Sequence, residues 1–200
     1  MMLINPFFVN PSGMPKVLEL LFNAVDGGSI VDSTGRHSPS LSVSGTRGIV
    51  GNRLNVAGGG YIRADALNTA NSDFDFSASD FSVECKVTAY SSSTYIWTHT
   101  ANDNDFGLCA RFSSDYQITI RSAGNVPMLT YNSATSLIGV EIKVKAERIG
   151  GRYALLIDDV EVDAVTNSFF TLGSNGFIIG AFPPSGGLTG TIDDFIVRKS

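Results

Sequence analysis

The feature of this sequence that most restricts its fold is a strict alternation of apolar and polar residues. It is best developed over residues 80–90, where Phe81, Val83, Cys85 and Val87 recur at every second position. Successive residues of a β-strand point to opposite faces of its sheet, so the pattern indicates a strand with one face buried and one in water. Similar short stretches recur along the chain and are separated by glycine-rich turns. The sequence therefore predicts an all-β fold.

Near the C-terminus the alternation is interrupted once. Ile192, Phe195 and Val197 can share one face only if an extra residue is inserted, because a shift of one residue moves every side chain to the other face. Asp193 and Asp194 lie at the interruption. We therefore predict a β-bulge at these two aspartates, in a final strand whose three apolar side chains belong to the core.

The composition is that of one folded domain. The chain has 200 residues, of which 43% are hydrophobic and 16% are charged, and its net charge is −5. An acidic chain with scattered basic residues indicates that neither nucleic acid nor a membrane surface is a partner. No stretch reaches the ~20 apolar residues of a membrane helix, and the N-terminus lacks the basic, apolar pattern of a secretory signal.

The two cysteines are expected to remain free thiols. Cys85 has the phase of the core residues around it, whereas Cys109 alternates against Leu108 and Ala110 and so points to the opposite face of its strand. Side chains on different faces do not meet in a disulfide. Free thiols are typical of a protein that folds in a reducing cytosol.

The first fifteen residues differ from the rest and predict an extended arm before a domain at 16–200. Three prolines, Pro6, Pro11 and Pro15, exclude a regular helix or a central strand. The arm is too apolar for a solvated tail, so we expect it either to dock on a neighbouring chain or another protein, or to fold back over its own domain. Its candidate docking residues are Leu3, Ile4, Phe7, Phe8 and Val9.

Many short strands, few helix signals and frequent turns indicate a two-sheet antiparallel β-sandwich. Seven segments also occur in a characteristic order and spacing: Leu18–Phe22, Asp32–Ser33 with Gly35, Gly60–Ile62, Ser79–Glu84, Tyr153–Asp159, Gly176–Gly180 and Gly190–Phe195. Through them the chain resembles, over residues 17–198, the concanavalin A-like jelly rolls of the laminin G-like type. It departs from that family at Asp159, where the family usually has glycine, and in Val140–Ala146, which lacks the Trp and His common there.

The resemblance implies a role as well as a fold. Domains of this family are frequent in phage virion proteins, where they decorate heads or bind receptors. The implied partners are other virion proteins, such as capsid or tail subunits, or further copies of the chain, with assembly in the host cytoplasm.

A candidate glycan site follows from one strand and the loop after it. Tyr95, Trp97 and His99 occupy alternate residues, which would place an aromatic surface beside polar groups that hydrogen-bond sugar hydroxyls. The alternative is that Trp97 packs in the core, as a lone tryptophan in a sandwich usually does. The polar groups are those of Asn102, Asp103, Asn104 and Asp105.

Three aspartates could hold a structural Ca²⁺, which is the cofactor the sequence allows. Asp26, Asp32 and Asp194 would supply oxygen ligands if the first and last strands were neighbours. The alternative is that each aspartate caps its own turn.

One near match to a hydrolase motif is present. Glu161 and Asp163 alternate on a strand, as the paired carboxylates of jelly-roll glucanases do, but residues 164–168 lack the third carboxylate. We therefore expect no enzymatic activity.

Three functions follow, in order of preference. The first is a non-enzymatic structural or interaction protein, most plausibly a virion component that displays a lectin-like domain. The alternative is a module that binds a surface polysaccharide. The third is a glycoside hydrolase.

Overall fold

A computed structural model describes residues 13–22, 30–41, 46–58, 60–64, 71–102, 105–122, 126–166, 175–182 and 187–200. These residues form fifteen β-strands and no helix. The strands are β1 (Lys16–Leu20), β2 (Ser40–Leu41), β3 (Thr46–Val50), β4 (Arg53–Ala57), β5 (Ile62–Ala64), β6 (Phe81–Ala89), β7 (Thr94–Asn102), β8 (Asp105–Ser114), β9 (Gln117–Ser122), β10 (Val126–Asn132), β11 (Glu141–Ile149), β12 (Arg152–Ile157), β13 (Val160–Thr166), β14 (Phe177–Ile179) and β15 (Gly190–Lys199).

The strands form two antiparallel sheets. The eight-stranded sheet has the order β13-β12-β11-β6-β15-β4-β3, and β1 also pairs with β15. The seven-stranded sheet has the order β10-β9-β8-β7-β14-β5-β2. The strand β4 pairs with the first half of β15, and β1 pairs with its second half. The first and last described strands are therefore neighbours in one sheet.

The core lies between the inner faces of the two sheets. Phe177 on β14 and Phe195 on β15 are fully buried, and their ring centres are 5.6 Å apart in an edge-to-face arrangement. Because these two rings come from different sheets, their contact connects the two layers. The predicted all-β, two-sheet antiparallel sandwich is confirmed.

The bulge predicted in the last strand is also confirmed. In the pairing with β6, Asp193 faces Lys86 and Ile196 faces Glu84, so two residues of β15 oppose one residue of β6. Asp194 has a φ of 50°, the left-handed conformation that permits the extra residue. The three apolar residues of this strand are fully buried as predicted: Ile192, Phe195 and Val197.

Both cysteines are buried and free, and their side chains lie in different apolar clusters. Cys85 belongs to the central core, whereas Cys109 packs with Tyr95 and Phe182 outside the seven-stranded sheet. Burial raises the pKa of the Cys85 thiol, and the nearby Glu84 carboxylate raises it further. The prediction of two free thiols is confirmed.

The strand β1 begins at Lys16, directly after the predicted arm. The arm residues Leu3, Ile4, Phe7, Phe8 and Val9 lie outside the described residues. The arm and its docking therefore stay a prediction. Within the described part of the chain, no helix has the length and hydrophobicity to cross a membrane.

Candidate functional site

The structure does not bring the predicted aromatic residues to one surface. Tyr95 faces Arg111 on β8 while Trp97 faces Ala110, so a bulge at Ile96 reverses the phase of β7 between them. Trp97 is fully buried and packs edge to face on the Phe177 ring, with the ring centres 6.0 Å apart. The core alternative for Trp97 is therefore correct.

His99, the third member of that set, also lies in the core. Its ring stacks between Phe76 and Phe177, with ring centres 4.8 Å and 4.9 Å away. Neither ring nitrogen makes a hydrogen bond of good geometry. Burial lowers the pKa of His99 to about 4, although the backbone of Phe74 and Asn175 nearby favours the charged ring. His99 is thus a neutral core residue and not a sugar ligand.

The polar loop after these residues is short. Asn102 is the last residue of β7 and pairs directly with Asp105, the first residue of β8. Asp103 and Asn104, the two residues between them, lie outside the described residues. The hairpin is confirmed as a connection, and the role of its side chains in glycan binding stays a prediction.

Of the three candidate Ca²⁺ ligands, Asp32 is engaged by backbone groups. Asp32 accepts hydrogen bonds from the backbone N–H groups of Glu19 (2.9 Å), Thr34 (3.1 Å), Arg36 (3.0 Å) and His37 (3.0 Å). Partial burial would raise the pKa of Asp32, but hydrogen bonds led by that of the Thr34 hydroxyl hold it below its usual value. Asp32 therefore caps its own turn, as the alternative predicted.

For the other two aspartates the Ca²⁺ site stays a prediction. Asp194 Oδ2 lies 2.6 Å from Lys86 Nζ, and Asp26 is outside the described residues. No group of three or more potential metal ligands occurs among the residues whose positions are described.

The carboxylates of the hydrolase motif point to different surfaces. Asp163 faces Leu155 while Glu161 faces Leu156, so a bulge at Val162 separates them. Glu161 is bound by Arg152 through two hydrogen bonds of 2.7 and 2.5 Å. Asp163 Oδ2 instead accepts the backbone N–H of Thr130 at 2.8 Å. The two carboxylates therefore do not share a substrate-facing surface.

The outer face of the eight-stranded sheet carries charges that pair with one another. A shallow groove of about 200 Å³ beside the bulge is lined by Glu84, Lys86, Lys143 and Asp194. Glu84 pairs with Arg198, and its Oε2 lies 3.2 Å from Lys143 Nζ. Burial alone would raise the pKa of Glu84, but the two cations outweigh it and hold that pKa below its usual range. The positive and negative side chains at this groove therefore largely neutralise one another.

The outer face of the seven-stranded sheet is chemically different, and we call it the arginine face. The strand registers place its three arginines and Tyr95 on one side of the sheet. Tyr61 packs against Ile178 on that side, and Phe182 packs on Tyr95. Its centre is buried and its arginines are partly exposed. The arginine face consists of Tyr61, Arg63, Tyr95, Arg111, Arg121 and Phe182.

Two of these arginines lie over tyrosine rings. The guanidinium carbon of Arg63 is 5.4 Å from the ring centre of Tyr61, and its Nη2 donates a hydrogen bond of 3.1 Å to the tyrosine hydroxyl. The guanidinium carbon of Arg111 is 5.1 Å from the ring centre of Tyr95. The Phe182 ring packs on the same tyrosine at 5.4 Å. Such cation-π contacts hold the guanidinium groups in place.

The third arginine is held by two hydroxyl groups. Arg121 Nε donates to Thr119 Oγ1 at 3.0 Å, and its Nη2 donates to Ser113 Oγ at 3.3 Å. The two hydroxyl oxygens are themselves 2.7 Å apart. Burial raises the pKa of the adjacent Cys109 to about 12, against the opposing effect of Arg121 and Arg111.

Among the described side chains of this face, which on β8 begin at Gly107, none is a carboxylate. Neither Arg63 nor Arg111 forms a salt bridge with any residue in the described part of the chain. Their Nε atoms are buried and have no hydrogen-bond partner there. The face thus combines aromatic rings with arginine charge that described carboxylates do not neutralise.

This face was not predicted from the sequence. The phase of β8 was a usable signal, because Arg111 shares the outward phase of Cys109. Thr119 and Arg121 have the same phase on β9. The position of Phe182 next to Tyr95 had no such signal, since the two residues are 87 positions apart and meet only in the folded chain.

The class of fold is shared with several solved proteins, although no protein-family model and no curated protein matches the sequence. The chain is similar to domain 4 of AbnA, an extracellular GH43 arabinanase from Geobacillus stearothermophilus, solved in complex with arabinotriose. That comparison has a TM-score of 0.71 and 15% identity, and it covers 94% of this chain and 93% of the other.

Two further neighbours are parts of larger chains. The binding domain of botulinum neurotoxin DC, solved in complex with SialylT, has a TM-score of 0.66 and 12% identity over 92% of this chain. A Trypanosoma rangeli sialidase has a TM-score of 0.67 and 12% identity over 92% of this chain. This chain spans 47% of the toxin chain and 30% of the sialidase chain. At such identities the likeness establishes the β-sandwich fold alone.

Proposed function

We propose that the chain is a carbohydrate-binding domain and that its ligand lies on the arginine face. The observation that carries this proposal is the pairing of Arg63 with Tyr61 and of Arg111 with Tyr95. A sugar presents apolar C–H surface for stacking on rings and hydroxyl groups for hydrogen bonds. Tyr61 and Phe182 are the partly exposed rings of this face and lie beside the arginines, whereas Tyr95 is buried beneath Phe182. Aromatic surface beside fixed donors is the composition of a sugar site.

The structural neighbours support this proposal over the virion role. AbnA domain 4 was solved with arabinotriose and the toxin binding domain with SialylT. The comparison with AbnA domain 4 spans almost the whole of both chains, so a sandwich of this size holds an oligosaccharide in at least one protein. Attachment to a phage particle or to further copies of the chain stays a prediction, because the arm that would provide it lies outside the described residues.

We also propose that binding occurs without catalysis. Glycoside hydrolysis by retaining or inverting enzymes requires two carboxyl groups that flank one bond. Glu161 and Asp163 point to different surfaces and are engaged by Arg152 and by the Thr130 backbone. The described carboxylates of the other outer groove, Glu84 and Asp194, are paired with lysine or arginine. These arrangements support a binding role.

The test is equilibrium binding to a panel of oligosaccharides and polysaccharides, followed by variants of the face. Tyr61→Ala and Phe182→Ala should each weaken binding by about tenfold, because an aromatic contact contributes ~1 kcal/mol or more beyond its buried area. The matched control is Tyr90→Ala, which removes a tyrosine that is 57% exposed at the end of β6 in the other sheet.

Two results would contradict the proposal. The first is the absence of binding to every saccharide in the panel. The second is binding that both face variants retain at full affinity while Tyr90→Ala loses it. Thermal melting of each variant separates a loss of binding from a loss of folding.

A further inference from the structure

We infer that the saccharide bound on the arginine face is acidic, and that Arg111 and Arg121 together bind one of its carboxylate groups. This inference rests on the proposed function and adds the chemical class of the ligand. Three observations support it: three arginines lie on one outer face, aromatic or hydroxyl groups orient them, and no carboxylate occurs among the described side chains of this face.

Arg111 and Arg121 are neighbours on adjacent strands. In the pairing of β8 with β9, Cys109 faces Arg121 and Arg111 faces Thr119. The two arginines are therefore diagonal partners, and diagonal partners in an antiparallel pair lie roughly 7–8 Å apart. A carboxylate placed between them can accept hydrogen bonds from both guanidinium groups, whose fork geometry matches its two oxygens.

Both guanidinium groups are oriented before any ligand arrives. Arg121 is held by Thr119 and Ser113, and Arg111 lies over the Tyr95 ring. Less side-chain freedom is therefore lost on binding than for a solvated arginine. The contact that orients Arg111 is an aromatic ring, which leaves its positive charge in place for a ligand.

The contrast with the rest of the surface indicates that this charge is local. The chain has a net charge of −5, so it repels a polyanion on average. The opposite outer face pairs its cations internally, as in Lys86 with Asp194 and Arg152 with Glu161. Arg63 and Arg111 make no such pair with a described residue.

Arg63 extends the site across the sheet. The registers connect Arg63 through Ile178, Thr98 and Cys109 to Arg121 in one row. Four steps between neighbouring strands span roughly 19 Å, since each step is about 4.8 Å. A polymer with repeated carboxylates can therefore contact Arg121 at one end of the row and Arg63 at the other.

The experiment compares acidic polymers with the same polymers after methyl esterification, which removes the charge and keeps the sugar. Polygalacturonate and alginate are titrated into the full chain by calorimetry, each beside its ester, and polysialic acid and single-stranded DNA are added as further polyanions. We expect at least one acidic polysaccharide to bind about tenfold more tightly than its uncharged or esterified counterpart. Added salt should weaken binding of the acidic polymer and leave binding of the ester unchanged.

Variants locate the effect on the face. Arg111→Gln and Arg63→Gln should each weaken binding of the acidic polymer by about tenfold and binding of the ester by a smaller factor, because the amide keeps a hydrogen-bond donor and loses the charge. Arg111→Lys keeps the positive charge and loses the two-pronged hydrogen-bonding geometry of the guanidinium group, so its affinity for the acidic polymer should be intermediate. The control is Arg152→Gln, which makes the same change in net charge on the outer face of the other sheet and should leave binding unchanged.

Each result has a separate meaning. If an ester or a neutral polymer binds as tightly as the acidic one, the inference is wrong and the proposed function stands. If no saccharide binds, the proposed function is wrong, and the inference that rests on it is wrong as well. If single-stranded DNA binds more tightly than every acidic polysaccharide and requires the same arginines, the ligand class is nucleic acid and the inference is overturned.

Discussion

The buried histidine makes the stability of this sandwich sensitive to mild acid. His99 is fully buried between Phe76 and Phe177, and burial lowers its pKa from 6.5 to about 4. In the unfolded chain the ring regains its ordinary pKa. Because the folded pKa is the lower one, the unfolded state binds the proton more readily. The contribution of His99 to stability is therefore fully present above pH 6.5 and is lost as the pH falls towards 4.

The size of the effect follows from the two pKa values. A difference of one pKa unit corresponds to ~1.4 kcal/mol, and the linkage relation gives a loss of about 2.5 kcal/mol in the free energy of unfolding between pH 8 and pH 4.5. The variant His99→Leu removes the titrating ring and keeps an apolar side chain in the core. It should lose about 2.5 kcal/mol less than the wild-type chain over the same pH interval.

The assay is urea unfolding of the wild-type chain and the variant at pH 8 and at pH 4.5. The quantity compared is the change with pH in each protein, so the constant cost of altering the core cancels. His37→Gln serves as a control, since it removes the other histidine and leaves the His99 ring in place. Equal pH dependence in the wild-type chain and His99→Leu would refute the reasoning.

Three further predictions concern the bulge, metal ions and the arm. Phe195→Ala should lower the free energy of unfolding by ~3–5 kcal/mol, because it leaves a cavity beside Phe177. Asp193→Ser should change the same free energy by less than ~1 kcal/mol. Equally small effects of both variants in urea unfolding would contradict the predicted position of the bulge. EDTA should leave the melting temperature unchanged, because Asp32 is occupied by its own turn, and a decrease reversed by Ca²⁺ would show a metal site. Deleting residues 1–14 should leave a domain that melts cooperatively, since β1 begins at Lys16, while attachment to a particle or oligomer is lost; unfolding of the truncated chain would show that the arm belongs to the domain.

Local pattern was sufficient to predict the fold class and the phase of single strands. The alternation around Cys85 and the interruption at Asp193 and Asp194 depend only on the two-residue period of a strand, which the sequence displays directly. For the same reason the opposite directions of Cys85 and Cys109 were predictable. The bulge was recoverable because moving Phe195 into water would cost more free energy than one irregular residue.

The phase of β7 was not predictable in the same way. Its bulge at Ile96 places Tyr95 on the outside and Trp97 on the inside, although the two are alternate residues. Ile96, unlike an aspartate, is apolar and compatible with either face, so the sequence contains no mark of the irregularity. In the folded chain the indole ring is buried and packs edge to face on Phe177, a long-range contact that the local pattern does not contain.

The arginine face as a whole was decided by tertiary structure. Arg111 and Arg121 lie on the consecutive strands β8 and β9, but Arg63 lies on β5, and no local spacing connects it to the other two. They share a surface because β14 inserts between β5 and β7 and brings the early strand beside the central ones. Strand order within a sheet depends on which edges pair over long range, and the two-residue period that identifies a strand carries no information about its neighbour.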